Sequence, residues 1–280
     1  MKTGVIDTGG GLRDVFGAGV FDWCMDNGVR FDYGIGISAG SANLTSYVAG
    51  QRGRNLPFYT EYPKRKEYMS LGNFLFKRSY IDLAYVYGTL SNAGGENPLD
   101  FDAVQENGME WYIQACNART GRPKFFTAAD IAPDDYRILM ASSAIPVVCK
   151  PVEIGGELYF DGALGQTVPV DKALADGVDK LVLVISKPAD VRRDPKRDEK
   201  LARRLRRRYP AAAEQLAARA GKYNAGVERA LELQRQGKVL VVAPDDVCGV
   251  GTLTKDPAPL KKLYDKGYAA ASRIAEFLAA

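Results

Sequence analysis

Gly36-Ile37-Ser38-Ala39-Gly40 reads G-x-S-x-G, a spacing that can carry a nucleophilic serine. Such a serine projects from a sharp strand-to-helix turn, and the flanking glycines Gly36 and Gly40 make room for that turn and for close helix packing. Tyr33-Gly34-Ile35 before it is strand-like and Ser41–Val48 after it is helix-like, so the motif has the context it needs. A serine nucleophile also needs a base. The 280 residues contain no histidine, which excludes a Ser-His-Asp triad, a Cys–His pair and a histidine metal site. The base must be a carboxylate, a lysine or water.

Asp161, followed by Gly162 and Ala163, ends a strand-like stretch over 157–160. The small residues beyond it allow close approach to another backbone. A carboxyl pKa of about 4 is low for a general base, so partial burial is expected to raise it. The competing reading is a turn aspartate that caps its own loop. Lys150 offers a serine–lysine alternative, although nothing in the sequence sets it beside Ser38.

Gly9-Gly10-Gly11-Leu12-Arg13 also follows a strand and precedes a helix. Successive glycines expose backbone N–H groups, and the helix start adds positive potential, an arrangement that binds phosphate or stabilises an oxyanion. The windows Gly9-x-Gly11-x-x-Asp14 and Gly17-x-Gly19-x-x-Asp22 fail the G-x-G-x-x-G dinucleotide pattern at its third glycine, and no Gly-Lys-Ser/Thr is present. Beside a nucleophile turn, an oxyanion hole is the better assignment.

The elements that must position these residues follow from local pattern. Strands are expected at 3–7 and 31–37, each leading through a turn into a helix, at 15–27 and 39–48, with Asp14 as N-cap and Gly28 as stop of the first. Strand–turn–helix twice in succession opens a parallel α/β sheet. Residues 52–107 carry many aromatics among Gly, Pro and Asn. They read either as a cap of short helices and loops or as an irregular insertion with its own small core. Further strands are expected at 109–117, 124–129, 181–186 and 239–243, a hairpin at 147–154 and 157–160 turning on Gly155-Gly156, and a helix at 132–143. The stretch 195–236 reads as helix broken at Pro210 and Gly221, and 259–278 as a C-terminal helix.

G-G-G-x-R, then G-x-S-x-G, then D-G-A, in this order, resembles the patatin-like phospholipase family. Ala141-Ser142-Ser143-Ala144-Ile145-Pro146 resembles the small-residue stretch before that family's aspartate motif, and Tyr209-Pro210, Tyr223-Asn224 and Gly237-Lys238-Val239 are similar to a bacterial branch of it. The resemblance implies an α/β three-layer sandwich with a mostly parallel central sheet. It implies one domain over 1–280, its motifs within 4–170 and a C-terminal extension over 171–280. It further implies Ser38 as nucleophile and Asp161 as base. The oxyanion loop would be Gly9, Gly10, Gly11 and Arg13, with the N–H groups of Gly10 and Gly11 as donors. The expected reaction is hydrolysis of lipid acyl esters without metal or organic cofactor. Two departures stand out. Asp14 replaces the usual glycine after the arginine and would set an anion beside the oxyanion loop unless Arg13 offsets it or its carboxylate turns away, and Thr8 stands where glycine is frequent.

Composition narrows the class. Hydrophobic residues make up 46% and charged residues 26%, with 38 Lys+Arg against 34 Asp+Glu for a net charge of +4, an ordinary globular balance that does not call for nucleic acid. No apolar run approaches the ~20 residues of a spanning helix and the N-terminus lacks a signal-like core, so the expected location is cytoplasmic. Cys24, Cys116, Cys149 and Cys248 are far apart and read as buried thiols. Residues 187–208 hold eleven Lys/Arg and four Asp/Glu, 11 − 4 = +7. That stretch is either a solvated helix face or a surface for peripheral contact with an anionic membrane. The alternatives to a lipid acyl hydrolase are a soluble carboxylesterase or thioesterase, and a non-catalytic protein of the same fold that binds anionic lipid.

Overall fold

A computed structural model describes all 280 residues. β1 (Thr3–Asp7) and β2 (Tyr33–Ile37) flank α1 (Val15–Asp26), and α2 (Ala39–Val48) follows β2. Four short helices come next: α3 (Leu56–Thr60), α4 (Leu71–Lys77), a π turn at Tyr85–Thr89 and α5 (Phe101–Glu106). β3 (Glu110–Asn117), β4 (Pro123–Phe126), α6 (Arg137–Ser142), β5 (Val152–Ile154), β6 (Glu157–Asp161) and α7 (Val170–Ala175) complete the first part. The rest contributes β7 (Lys180–Val184), α8 (Lys196–Leu205), α9 (Pro210–Arg235), β8 (Val239–Val242), α10 (Pro257–Ala270) and α11 (Arg273–Ala279).

The strands form one eight-stranded sheet. β3, β2, β1, β7 and β8 run parallel in that spatial order, and β4, β5 and β6 are antiparallel additions at one side. Parallel strands buried on both faces need continuous apolar sequence. Leu181–Val184 and Val239–Val242 are buried throughout. Side chains alternate between faces. Val5, Val182 and Val242 pack with α1, α2 and α10 in one core, whereas Ile6, Leu183 and Val241 pack with α7 and α9 in another. The architecture is therefore a three-layer α/β sandwich with a mostly parallel sheet, as expected.

Local readings differ from the structure at several points. α9 runs unbroken through Gly221, since nothing crowds that glycine and Leu216, Ala220, Tyr223 and Val227 hold the helix to the core. The C-terminal helix is two helices, separated at Ala271-Ser272. Only 137–142 of the expected 132–143 helix is α-helical, and only 152–154 of the expected 147–154 strand is extended in the sheet, Val147 having φ 70°. The strand expected at 124–129 gives way to a 3-10 turn from Ala128. The aromatics of 52–107 have no core of their own. Phe58, Tyr59, Tyr62, Tyr68 and Tyr87 belong to the main core with Val5, Phe16 and Val184.

Candidate active site

The β3 edge explains how Ser38 meets Asp161. Gln114 on β3 pairs with Ile37, the last residue of β2, and the next residue, Ala115, pairs with Asp161, the last residue of β6. β4 occupies the opposite edge of the same residues. β2 and β6 thus approach head-on along one edge of β3, and their C-terminal ends abut. Ser38 Oγ donates to Asp161 Oδ2 at 2.7 Å.

Ser38 stands on the turn between β2 and α2 with φ 57° and ψ −129°, a left-handed backbone that an L-residue adopts only under constraint. The constraint is close packing. A Cβ on Gly36 would come within 2.6 Å of Ser41 Cα, and one on Gly40 within 2.6 Å of the Asp7 carboxyl and carbonyl groups. The Ser38 N–H donates to Ser142 Oγ at 2.8 Å, and that hydroxyl donates to the Gln114 carbonyl at 2.7 Å. Asp161 is 3% exposed. Its N–H donates to the Ala144 carbonyl at 3.0 Å and its Oδ1 accepts the Ala163 N–H at 2.8 Å. Gly162 lies against the Gln114 carbonyl so closely that no Cβ would fit. Burial raises the Asp161 pKa above the ordinary carboxylate value, opposed by the hydrogen bonds from Ser38 and Ala163 and by the charges of Arg219 and Arg193. This is the shift that a direct base requires.

The glycine loop lies beside Ser38. A Cβ on Gly9 would strike the Ile37 carbonyl, and Gly9 has φ 69°. The Gly9 N–H is committed to Asp7 Oδ1 at 3.0 Å, so Gly9 serves packing. Gly10 and Gly11 donate no backbone hydrogen bond within the chain, and both line a cavity with Ser38, Asp161, Ala163 and Arg13. Thr252 latches the loop from the C-terminal part, accepting the Leu12 N–H at 2.9 Å.

Asp14 takes the N-cap position of α1 but makes no capping bond, which corrects that expectation. Its carboxyl is fully buried with Asp7, and Asn43 Nδ2 donates to Asp7 Oδ2 at 3.1 Å and Asp14 Oδ2 at 3.0 Å. Burial and then the Asp7 charge push the Asp14 pKa well above the ordinary value, and burial raises Asp7 to about 6. Both shifts favour the neutral carboxyl, which weakens the anion that Asp14 would otherwise set beside the oxyanion loop. Lys150 is exposed, with its N–H on Ser79 Oγ, and lines neither cavity at Ser38.

Two cavities meet at Ser38. One is mostly apolar, with Leu12, Phe58, Tyr68, Ile81, Val86 and Ile145 in its wall. The other, of about 290 Å³, is rich in cations. The roles of Ser142, Thr252 and the Asp7–Asp14–Asn43 cluster were not evident from sequence. Ser142 lay in the small-residue stretch singled out there, whereas Thr252 is joined to the loop only by tertiary packing.

The chain is thus an α/β protein in which a strained serine on a strand-to-helix turn is hydrogen-bonded to a buried carboxyl. The family model for patatin-like phospholipase matches residues 8–174, more than half of the chain, and the chain belongs to that family, whose members are as a class lipid acyl hydrolases. A second model, a domain of unknown function (DUF6363), matches residues 209–279. The uncharacterized protein YjjU of Escherichia coli (strain K12) is 27% identical over 209 residues, covering 73% of this chain and 57% of that protein. The lysophospholipase NTE1 of Yarrowia lipolytica (strain CLIB 122 / E 150) is 20% identical over 178 residues, 62% of this chain and 12% of that protein. The chain thus spans little more than half of one relative and a small part of the other. The crystal structure of VipD from Legionella pneumophila superposes with a TM-score of 0.49 at 12% identity, covering 98% of this chain and 67% of that one.

Proposed function

We propose that this chain hydrolyses carboxylic esters of lipids through an acyl-enzyme on Ser38, with Asp161 as the proton shuttle. One observation carries the reading: in a chain without histidine, Ser38 Oγ donates directly to a buried carboxyl at 2.7 Å. In the first step the Ser38 proton passes to Asp161 Oδ2 while Oγ attacks the ester carbonyl carbon. The carbonyl electrons move to oxygen, and the N–H groups of Gly10 and Gly11 stabilise that oxyanion. Collapse breaks the bond to the alcohol, which leaves with the proton from Asp161. Water then gives a proton to Asp161 and adds as hydroxide to the acyl carbon. The second collapse breaks the bond to Oγ, which regains its proton as the acid departs.

The apolar cavity suits an acyl chain, and a surface feature favours lipid over a small soluble ester. Four of the six exposed large hydrophobics, Leu71, Phe74, Leu75 and Phe76, lie on α4. The segments flanking α4 supply Tyr68, Met69 and Ile81 to the cavity wall, and the exposed Lys77 and Arg78 follow the apolar turn. An apolar tip edged by cations at the mouth of an acyl cavity matches an anionic lipid surface. We further propose that residues 1–280 form one domain, because β7 and β8 complete the sheet that carries Ser38 and Thr252 lines the apolar cavity beside it.

The test is labelling by a fluorophosphonate probe together with a panel of lipid and p-nitrophenyl esters, wild type against Ser38→Ala. Labelling and hydrolysis that both vanish with the hydroxyl support the reading. An unlabelled wild-type protein, or hydrolysis that survives Ser38→Ala, ends it.

A further inference from the structure

The mostly apolar cavity at Ser38 carries one charge in its wall. Arg54 lines it together with Asn55 and Ser91, and no carboxyl does. Arg54 is half-buried, and all of its hydrogen bonds run to neutral acceptors. Nε donates to the Pro98 carbonyl at 3.2 Å, Nη1 to Ser46 Oγ at 3.1 Å, and Nη2 to Ser91 Oγ and the Asn97 carbonyl at 3.0 Å each. Those bonds use four of the five N–H groups of a guanidinium and leave one on Nη1 without an acceptor. Burial pulls the Arg54 pKa down, and the groups that oppose the shift are Tyr136, Tyr87 and Tyr62, not a carboxylate. Asn55 is 8% exposed, with its Oδ1 taken by the Ser46 hydroxyl at 2.9 Å and its Nδ2 making only a long contact to the Ala42 carbonyl at 3.4 Å. This part of the cavity therefore offers spare N–H donors and an uncompensated positive charge.

α2 sets how far that charge lies from the serine. Ala39 and Ala42 line the cavity, and Ser46 holds the guanidinium, so positions i, i+3 and i+7 of one helix face lead from Ser38 to Arg54 over short side chains. Ser46 lies 46 − 38 = 8 residues beyond Ser38, roughly 12 Å along the helix axis. A hydrogen bond takes up about 3 Å of that span. The remainder holds about seven bonds of an extended chain at about 1.2 Å per bond, the length of a roughly eight-carbon acyl group. A methyl terminus there would leave the cation desolvated with nothing to offset the cost, whereas a carboxylate, which only accepts, would take both spare donors. We infer that Arg54 and Asn55 form a carboxylate subsite at the far end of the acyl cavity, and that the favoured acyl group carries a terminal carboxylate, as in a monoester of a dicarboxylic acid. The assignment rests on the acyl-enzyme reading for the position of the ester carbonyl at Ser38, but not for the anion contact itself.

The mono-4-nitrophenyl ester of octanedioic acid and 4-nitrophenyl octanoate differ only at the acyl terminus. The carboxylate-ended ester is expected to have the higher kcat/KM by about 10- to 100-fold, the scale of one charge-assisted contact. The corresponding butanedioate and butanoate esters are too short to reach Arg54 and should show no such ratio. Arg54→Met should bring the octanoyl ratio to one or below, and Arg54→Lys should restore part of it. Arg54 also ties Ser91, Asn97 and Pro98 to α2, so melting curves accompany the variants; the wild-type comparison across chain lengths decides the matter even where Arg54→Met fails to fold. In parallel, octanedioate is titrated calorimetrically. Its binding should weaken at least 10-fold with Arg54→Met and persist in Arg193→Gln, which alters the cation-rich cavity instead. Equal kcat/KM for the two octanoyl esters, or octanedioate binding that depends on Arg193 alone, overturns the subsite and leaves the hydrolase reading standing. Arg54-dependent binding of octanedioate without turnover of either ester keeps the subsite and removes the hydrolase reading.

Discussion

Asp161→Asn separates proton transfer from folding at a single position. The amide keeps the size of the carboxyl. With its oxygen on the Ala163 N–H, where Asp161 Oδ1 accepts at 2.8 Å, its nitrogen would face Ser38 Oγ and donate to it. The hydrogen bond reverses, and the serine loses its base. Loss of a general base costs about 100- to 10,000-fold in rate, or roughly 3–5 kcal/mol of barrier. Stability should move the other way. Burial holds the Asp161 pKa above its unfolded value, so its stabilising contribution is present below the unfolded pKa of about 4 and is lost as pH rises through the folded value. The amide has no charge to desolvate. At pH 8 the variant should melt at or above the wild-type temperature while hydrolysing at most a hundredth as fast. The wild-type kcat/KM should rise with pH through a limb displaced above the ordinary carboxyl range, and the variant should lack that limb. Wild-type p-nitrophenyl ester turnover by a folded Asp161→Asn protein would refute the direct-base assignment.

Three other outcomes are expected. Ser142→Ala leaves the buried Ser38 N–H without its acceptor, which costs about 1–3 kcal/mol; kcat should fall more than KM rises, with partial rescue by Ser142→Thr, and unchanged kinetics would remove Ser142 as a positioning residue. Phe76→Ser on α4 gives up an apolar side chain that is 89% exposed; vesicle partition measured by co-sedimentation should weaken by about 10- to 100-fold, and an unchanged partition would discount α4 as the lipid contact. Because burial raises Asp7 to about 6 and pushes Asp14 well above the ordinary carboxylate value, the fold binds more protons than the unfolded chain, so Tm should fall as pH rises through about 6; Asp14→Asn should flatten that decline, and a wild-type Tm that climbs across the interval would contradict the upward shift.

Legibility in the sequence tracked the range of the interaction. The turn at Ser38 could be read because strand, glycines and helix are contiguous, and the absence of histidine narrowed the base to few candidates. Asp161 followed from its strand-end context and the family pattern. What escaped was set by distant packing. Gly9 reads as part of the oxyanion loop, but that Asp7 holds its N–H shows only in the folded chain. Asp14 looks like a cap until α2 brings Asn43 across it. Gly221 looks like a break, since glycine costs about 1 kcal/mol in a helix, but the buried face of α9 outweighs it. Residues 52–107 show no period because their aromatics cover a cavity wall and the main core from short, differently oriented helices.

The same sheet register accounts for a site without imidazole. In a triad the imidazole bridges a serine and a carboxylate that lie too far apart to touch. Here β2 and β6 terminate at adjacent residues of β3, Gln114 and Ala115, so the turn after one strand and the last side chain of the other meet without a bridge. The contact is held from both sides. Ser142 ties the Ser38 backbone to the Gln114 carbonyl, Gly162 packs on that same carbonyl, and Gln114 Nε2 donates to the Gly162 carbonyl at 2.6 Å. A one-residue slip of β6 along β3 would turn the Asp161 side chain to the opposite face of the sheet. The head-on meeting of these strands is therefore what allows a carboxyl to reach the serine hydroxyl directly, and a pairing error of a single residue would abolish it while leaving every motif in the sequence intact.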